Sequence, residues 1–222
     1  MANTPFDPQV APVDALAGEA PLPAERLCAA WLQHRFANPP PDWIPEAFDV
    51  ALHRSSGWTD AAVLVPLVLR ADGMQLLLTR RTAHLTDHAG QISFPGGRTE
   101  LVDASRQDTA LRETEEEIGL ARAHVEVLGT LPDYLTITGY RVTPVVGLIV
   151  PPFALAPDPG EVDEIFEVPL AYLMNGAHHQ RRAIDLQDGA GPRNFYAMPF
   201  EQHFIWGATA AMLRNLFHFL RS

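Results

Sequence analysis

Apolar positions run in two rhythms along this chain, and together they predict most of its elements. AAVLVPLVL (61–69) is apolar almost throughout, and MQLLLTR (74–80) follows it across Ala71-Asp72-Gly73, an antiparallel hairpin signal. HAGQISFPGG (88–97) reads as a glycine-punctuated loop around a short strand. Further strands are expected at 125–131, 140–150, 162–168, 182–187 and 193–199. Helices are expected at 25–36 (ERLCAAWLQHRF), at about 105–118, and over the closing segment 202–220. NPPPDWIP (38–45) ends the first helix and must be extended, because a residue that precedes proline is pushed out of the helical region. Residues 1–23 hold five prolines and little periodicity, which predicts an irregular N-terminal arm. The pattern is α/β with a mixed sheet, in one domain over 24–222 with helical extensions at both ends.

The apolar end HFIWGATAAMLRNLFHFL is interrupted by Arg214 and Asn215, so it suits a helix packed on a sheet or on a subunit partner, and a homodimer stays open. No run approaches the roughly 18 apolar residues of a membrane span, and no basic-then-apolar leader opens the sequence. The expectation is a soluble, cytoplasmic protein. Composition narrows the chemistry. The net charge is −11, and all 16 basic residues are arginine. Such a surface repels nucleic acid and anionic membranes, so an anionic substrate needs a local basic patch or a bound cation. Without lysine there is no P-loop lysine, no Schiff base and no serine–lysine dyad. The one cysteine, Cys28, makes no internal disulfide and is expected to be buried in its apolar helix. His178-His179 falls in a polar turn.

The chemistry concentrates in RETEEEIGL (112–120). Ser105-x-x-Asp108 resembles a capping box and Gly119 suits a helix stop, so Glu115–Glu117 lie in the last turn. With Arg112 at 0° and ~100° per residue, Glu116 falls near ~40°, Glu113 near ~100° and Glu117 near ~140°. Leu111, Thr114 and Ile118 form the opposite, buried stripe, and Glu115 points elsewhere. Carboxylates so placed repel one another and oppose the helix dipole, by about 0.2–0.5 kcal/mol per pair and about 0.3–1 kcal/mol each. A solvated acidic face is one reading. A divalent cation held by hard oxygen ligands is the other. Gly96 and Gly97, just upstream, let backbone approach such a ligand closely.

Taken together, Gly97, Arg112, Glu113, Glu116, Glu117, Gly119 and Leu120 resemble the Nudix box, G-x5-E-x7-R-E-U-x-E-E-x-G-U, in which U is a bulky aliphatic residue. Thr114 replaces one aliphatic position. Asp103 stands where the first glutamate belongs, and eight residues instead of seven separate it from Arg112. The resemblance implies a Nudix fold, an α/β/α sandwich, and hydrolysis of a diphosphate linked to another group. It implies that Glu113, Glu116 and Glu117 hold Mg²⁺ or Mn²⁺, with the Gly97 carbonyl as a further ligand. It also implies that Arg112 orients Glu116, and that one of the glutamates or Glu161 is the general base.

LLTRRTAHLTDHAGQISFPGG (77–97) is further similar to the extra signature of the coenzyme A diphosphatases, L-L-T-x-R-S-x3-R-x3-G-x3-F-P-G-G. Leu77, Leu78, Thr79, Arg81, Gly90 and Phe94–Gly97 match; Thr82 replaces the serine and Thr86 the second arginine. The implied partner is a small coenzyme A-like diphosphate, gripped by Arg81 with Thr79, Gly96 and Gly97 around it. Strand alternation turns the neighbouring Arg80 to the other face. Among the remaining candidates, His84 and His88 read as solvated loop residues, and Tyr134, Tyr140 and Phe195 as packing aromatics.

Overall fold

The computed structural model describes residues 7–46, 57–84, 89–185 and 192–222. In chain order these form β1 (Val13–Leu16), α1 (Ala29–Ala37), β2 (Thr59–Arg70), β3 (Gly73–Arg81), β4 (Ile92–Ser93), β5 (Gly96–Arg98) and α2 (Arg106–Ile118). There follow β6 (Val125–Thr130), β7 (Tyr134–Leu135), β8 (Tyr140–Ile149), β9 (Val162–Pro169), the single turn α3 (Leu170–Leu173), β10 (Gln180–Asp185), β11 (Pro192–Phe200), β12 (His203–Trp206) and α4 (Gly207–Arg221).

β2 is the spine. It pairs antiparallel with β3 from Arg70↔Gly73 to Leu67↔Leu76, as the turn triplet predicts, and parallel with β8 from Thr59↔Tyr140 to Val68↔Ile149. The sheet is therefore mixed, in the order β4-β3-β2-β8-β6, with β5 on β2, β7 on β8 and β9 on β3. A strand with a neighbour on each edge and an element on each face has few polar positions to offer, which is why 61–69 reads as an unbroken apolar run.

One face, with Ala62, Leu64, Val68, Leu77, Val145 and Ile149, packs on Ala110 and Ile118 of α2. The other, with Val65, Leu67, Leu76, Leu78 and Val146, packs on Leu32 of α1 and on Leu213, Leu216, Phe217 and Leu220 of α4. Each fully buried leucine in these layers contributes about 1.5–3 kcal/mol. The result is an α/β/α arrangement, with the second sheet, β1-β10-β11-β12, on the α4 side. Among the described residues no helix is long and apolar enough to cross a membrane.

Four expectations are corrected. The arm is not irregular at Val13–Leu16, which pairs with β10. It is tied down further by Ala17 N–H to His179 O (2.9 Å), Gly18 N–H to Gly176 O (3.1 Å) and Leu22 N–H to Met174 O (2.9 Å). Residues 203–206 are a strand, not the start of the last helix: β11 and β12 form a hairpin closed at Glu201, whose φ is 51°. Cys28 is exposed, because it precedes α1 instead of lying on its buried side, and its thiol donates to Glu25 O (3.2 Å).

His179, expected in a polar turn, is fully buried. Arg214 donates from Nη1 to its Nδ1 (3.1 Å), which leaves Nε2–H to donate to Leu173 O (2.7 Å). The same guanidinium pairs with Glu19 (2.5 Å) and Glu46 (2.9 Å). A buried arginine thus fastens the N-terminal arm to α4.

Candidate active site

α2 begins as the caps predict: Ser105 Oγ accepts from Asp108 N–H (3.1 Å), and Asp108 Oδ2 accepts from Ala104 N–H (3.1 Å). It ends at Gly119, whose φ is 67° and whose N–H reaches Glu115 O. Thr114 is buried and turns its hydroxyl back to Ala110 O (2.6 Å), so it fills the aliphatic position without leaving a polar group unpaired. Leu111 is only partly buried but does pack against the α2 side of the core.

The glutamates differ sharply in environment. Glu115 points away to Arg122 (3.4 Å). The Glu116 side chain is 60% exposed, the Glu113 side chain 17%, and Glu117 only 4%. Burial pushes the Glu117 carboxyl up to about 7, against the lowering effects of the Gly96 N–H and Arg81, while Glu161 and Glu113 add to the rise. Glu113 is also raised, by burial first, with Arg112 opposing.

Arginines hold these carboxylates. Arg112 Nη1 reaches both Glu113 Oε1 (2.9 Å) and Glu116 Oε2 (3.0 Å). Its Nε and Nη2 donate to Asp103 Oδ1 (2.8 Å) and Oδ2 (2.9 Å). Asp103 is the residue at the stretched position of the box. It accepts from Thr109 Oγ1 (2.9 Å) and Glu100 N–H (2.8 Å) as well, and the Arg112 guanidinium above all holds it well below the usual carboxylate range. Arg81 Nη1 lies 3.2 Å from Glu117 Oε1, and Gly96 N–H donates to Glu117 Oε2 (3.0 Å). Among the described residues, no three carboxylate, histidine or cysteine side chains are already gathered about a common point that would suit a metal ion.

β5 brings backbone against the helix. A Cβ on Gly97 would sit 2.5 Å from Glu113 Oε2, and Gly96, with φ of 150°, would press one on Ala62 O. Glu161 is exposed on the segment leading into β9, close enough to Glu113 and Glu117 to raise both. Thr82 sets that segment: its N–H donates to Glu161 O (3.0 Å) and its hydroxyl to Gly160 O (3.2 Å). Sequence reasoning did not give Thr82 this task, and its hydroxyl was the signal.

Thr79 lies on the same face of β3 as Leu77 and Arg81. It is 1% exposed and its hydroxyl bonds Ser93 O (3.2 Å), joining β3 to β4. Arg80 is turned away as alternation requires, onto Asp163 (2.9 Å) and Glu164 (3.1 Å). His84 is exposed, and Tyr134 and Tyr140 pack against the core. Thr86 and His88 lie outside the described residues.

The family model of the NUDIX domain matches residues 58–187. The uncharacterized Nudix hydrolase NudL of Escherichia coli K12 is 43% identical over 157 residues, which cover 70% of this chain and 80% of NudL. The NudL protein of Shigella boydii serotype 18 shows the same identity and coverage. A solved Nudix hydrolase of M. smegmatis, RenU, aligns over 52% of this chain and 73% of its own, at 22% identity and a TM-score of 0.44.

Proposed function

The chain belongs to the Nudix family of hydrolases, which act on diphosphate bonds, and on that premise we propose that it cleaves the diphosphate of coenzyme A or its derivatives. The products are 3′,5′-ADP and 4′-phosphopantetheine, or its acyl form. The observation that carries this reading is the meeting of Arg81, from the coenzyme A-type signature, with Glu117 of the box at 3.2 Å. That contact joins the two motifs in one cleft.

Nudix hydrolases generally use divalent cations, and the donor set fits one: Glu113, Glu116 and Glu117 are hard oxygen ligands. They stand beside a glycine backbone that a Cβ would crowd. We assign these three carboxylates and the Gly97 carbonyl to Mg²⁺ or Mn²⁺. When bound, the cation neutralises the diphosphate and lowers the pKa of a water.

The chain's own groups do the rest. Arg112, locked by Asp103, aims Glu116. Arg81 grips a phosphate, and Gly96 and Gly97 let the diphosphate approach the backbone. Glu161 or one of the three glutamates takes the proton as water's oxygen bonds to phosphorus and the bridging P–O bond breaks. The electron pair leaves with the departing phosphate.

A second reading is kept by one residue. Thr86, in place of the signature's second arginine, removes a charge, which favours another nucleoside diphosphate derivative such as ADP-ribose or a dinucleotide. Incubation with Mg²⁺ and, separately, coenzyme A, ADP-ribose and NADH, with chromatography of the products, separates them. Release of 3′,5′-ADP from coenzyme A supports the first reading. Turnover of the other substrates alone overturns it in favour of the second.

A further inference from the structure

Arg81 is less committed than either Arg112 or its neighbour Arg80. Arg112 makes two parallel bonds to Asp103, and Arg80 bridges Asp163 and Glu164, whereas Arg81 makes one bond, at 3.2 Å, to Glu117. Its Nε is buried and has no partner among the described residues. It nevertheless sits where it does by construction. β3 and β9 pair regularly up to Arg80↔Glu164 and then shift, so that Arg81 opposes Val162 and Asp163 is skipped. An irregularity of this kind re-aims the side chain beside it. Here it accompanies an Arg81 that reaches the helix carrying Glu113, Glu116 and Glu117, while Arg80 stays on β9.

The carboxylate it meets is the one most in need of a cation. Glu117 is 4% exposed, and its charged neighbours besides Arg81 include Glu113 and Glu161, both of its own sign. One oxygen, Oε2, is held by the Gly96 N–H, and the other, Oε1, has Arg81. A dication on Oε1 would stand beside a guanidinium nitrogen 3.2 Å from the same oxygen, and repulsion between the two positive charges in this buried site favours departure of the guanidinium. We propose that Arg81 and the divalent cation are alternative counter-ions of Glu117, so that loading the metal releases Arg81 to the phosphate of the substrate. This rests on the hydrolase reading above. It makes Arg81 a substrate-binding residue that counters the charge of Glu117 before loading and is delivered to the substrate by loading. By linkage, whatever pins Arg81 on Glu117 weakens the metal to the same degree.

Mn²⁺ titration by calorimetry at pH 8, on the full chain and on Arg81→Met and Arg81→Lys, tests it without turnover. Arg81→Met should bind Mn²⁺ more tightly, on the order of tenfold, and Arg81→Lys should stay near the wild type. In parallel, the Nε–Hε resonance of Arg81 should move as Mg²⁺ is added to the wild-type protein, which decides the matter even if Arg81→Met does not fold. Unchanged or weaker Mn²⁺ binding by a folded Arg81→Met, or a resonance that stays fixed while Mg²⁺ saturates, overturns the exchange and leaves the hydrolase reading standing. A wild-type protein that binds no Mn²⁺ overturns both.

Discussion

Asp103 and Arg112 face each other through two parallel hydrogen bonds of 2.8 and 2.9 Å, and the Asp103 side chain is 1% exposed. Removing one partner of a buried pair costs about 3–5 kcal/mol where the other charge is left alone, and Arg112, which keeps Glu113 and Glu116, puts the cost at the lower end. Asp103→Asn should therefore lower the unfolding free energy by about 3 kcal/mol in urea and reduce kcat by loosening Arg112 over Glu116. A loss below about 0.5 kcal/mol, the range of ordinary surface changes, would show that the pair is not structural.

The two glycines of β5 should respond differently. An alanine at 97 meets only the mobile end of Glu113, so Gly97→Ala should fold normally and lose roughly a hundredfold in kcat, as misplaced catalytic groups do. An alanine at 96 meets backbone at a φ of 150°, so Gly96→Ala should cost about 1–3 kcal/mol of stability. Thermal unfolding beside turnover of both variants checks the contrast.

Thr79 should matter for stability and not for substrate. Thr79→Val removes a buried hydroxyl bonded to Ser93 and should cost about 1–2 kcal/mol. Its KM should stay at the wild-type value; a KM raised tenfold would return Thr79 to the substrate.

The buried His179 sets an acid limit. Burial first, and Arg214 with it, bring its pKa down from 6.5 to about 4, while the Leu173 carbonyl and Glu19 oppose. Between those values the unfolded chain binds more protons than the folded one. Stability is complete above pH 6.5 and is lost as the pH falls towards 4, by about 3 kcal/mol in all. Protonation also ends the acceptor role of Nδ1 towards Arg214, and Glu46, held down to about 2 although burial opposes this, weakens only at still lower pH. His179→Gln should flatten the pH dependence of urea midpoints between 6.5 and 4. An acid limb as steep as the wild type's would assign it to other groups.

What could be read from the sequence was what local signals encode. The 61–80 hairpin carries its own turn, and α2 carries both caps and a stripe that fixes the face of each glutamate. What could not be read depends on partners far along the chain. β1 exists because β10 accepts it, and no period in residues 1–23 announces that. HFIW at 203–206 fits a strand or a helix equally, and only the hairpin with β11 chooses between them. The Glu19–Arg214–His179 cluster joins three segments with no common motif. Thr79 is a related case: its place in a signature says that the residue is used, and its bond to Ser93 O appears only in the fold.

If the α2 carboxylates drive metal-dependent hydrolysis, Glu116 is the residue to change, because its exposed side chain can be altered without disturbing the core. The measurement is the rate of 3′,5′-ADP release from coenzyme A with Mg²⁺ by the wild type and by Glu116→Gln. Carboxylate-driven hydrolysis predicts turnover by the wild type and a loss of at least about a hundredfold, about 2.7 kcal/mol of barrier, in a variant that unfolds at the same temperature. An equal rate in Glu116→Gln would contradict it.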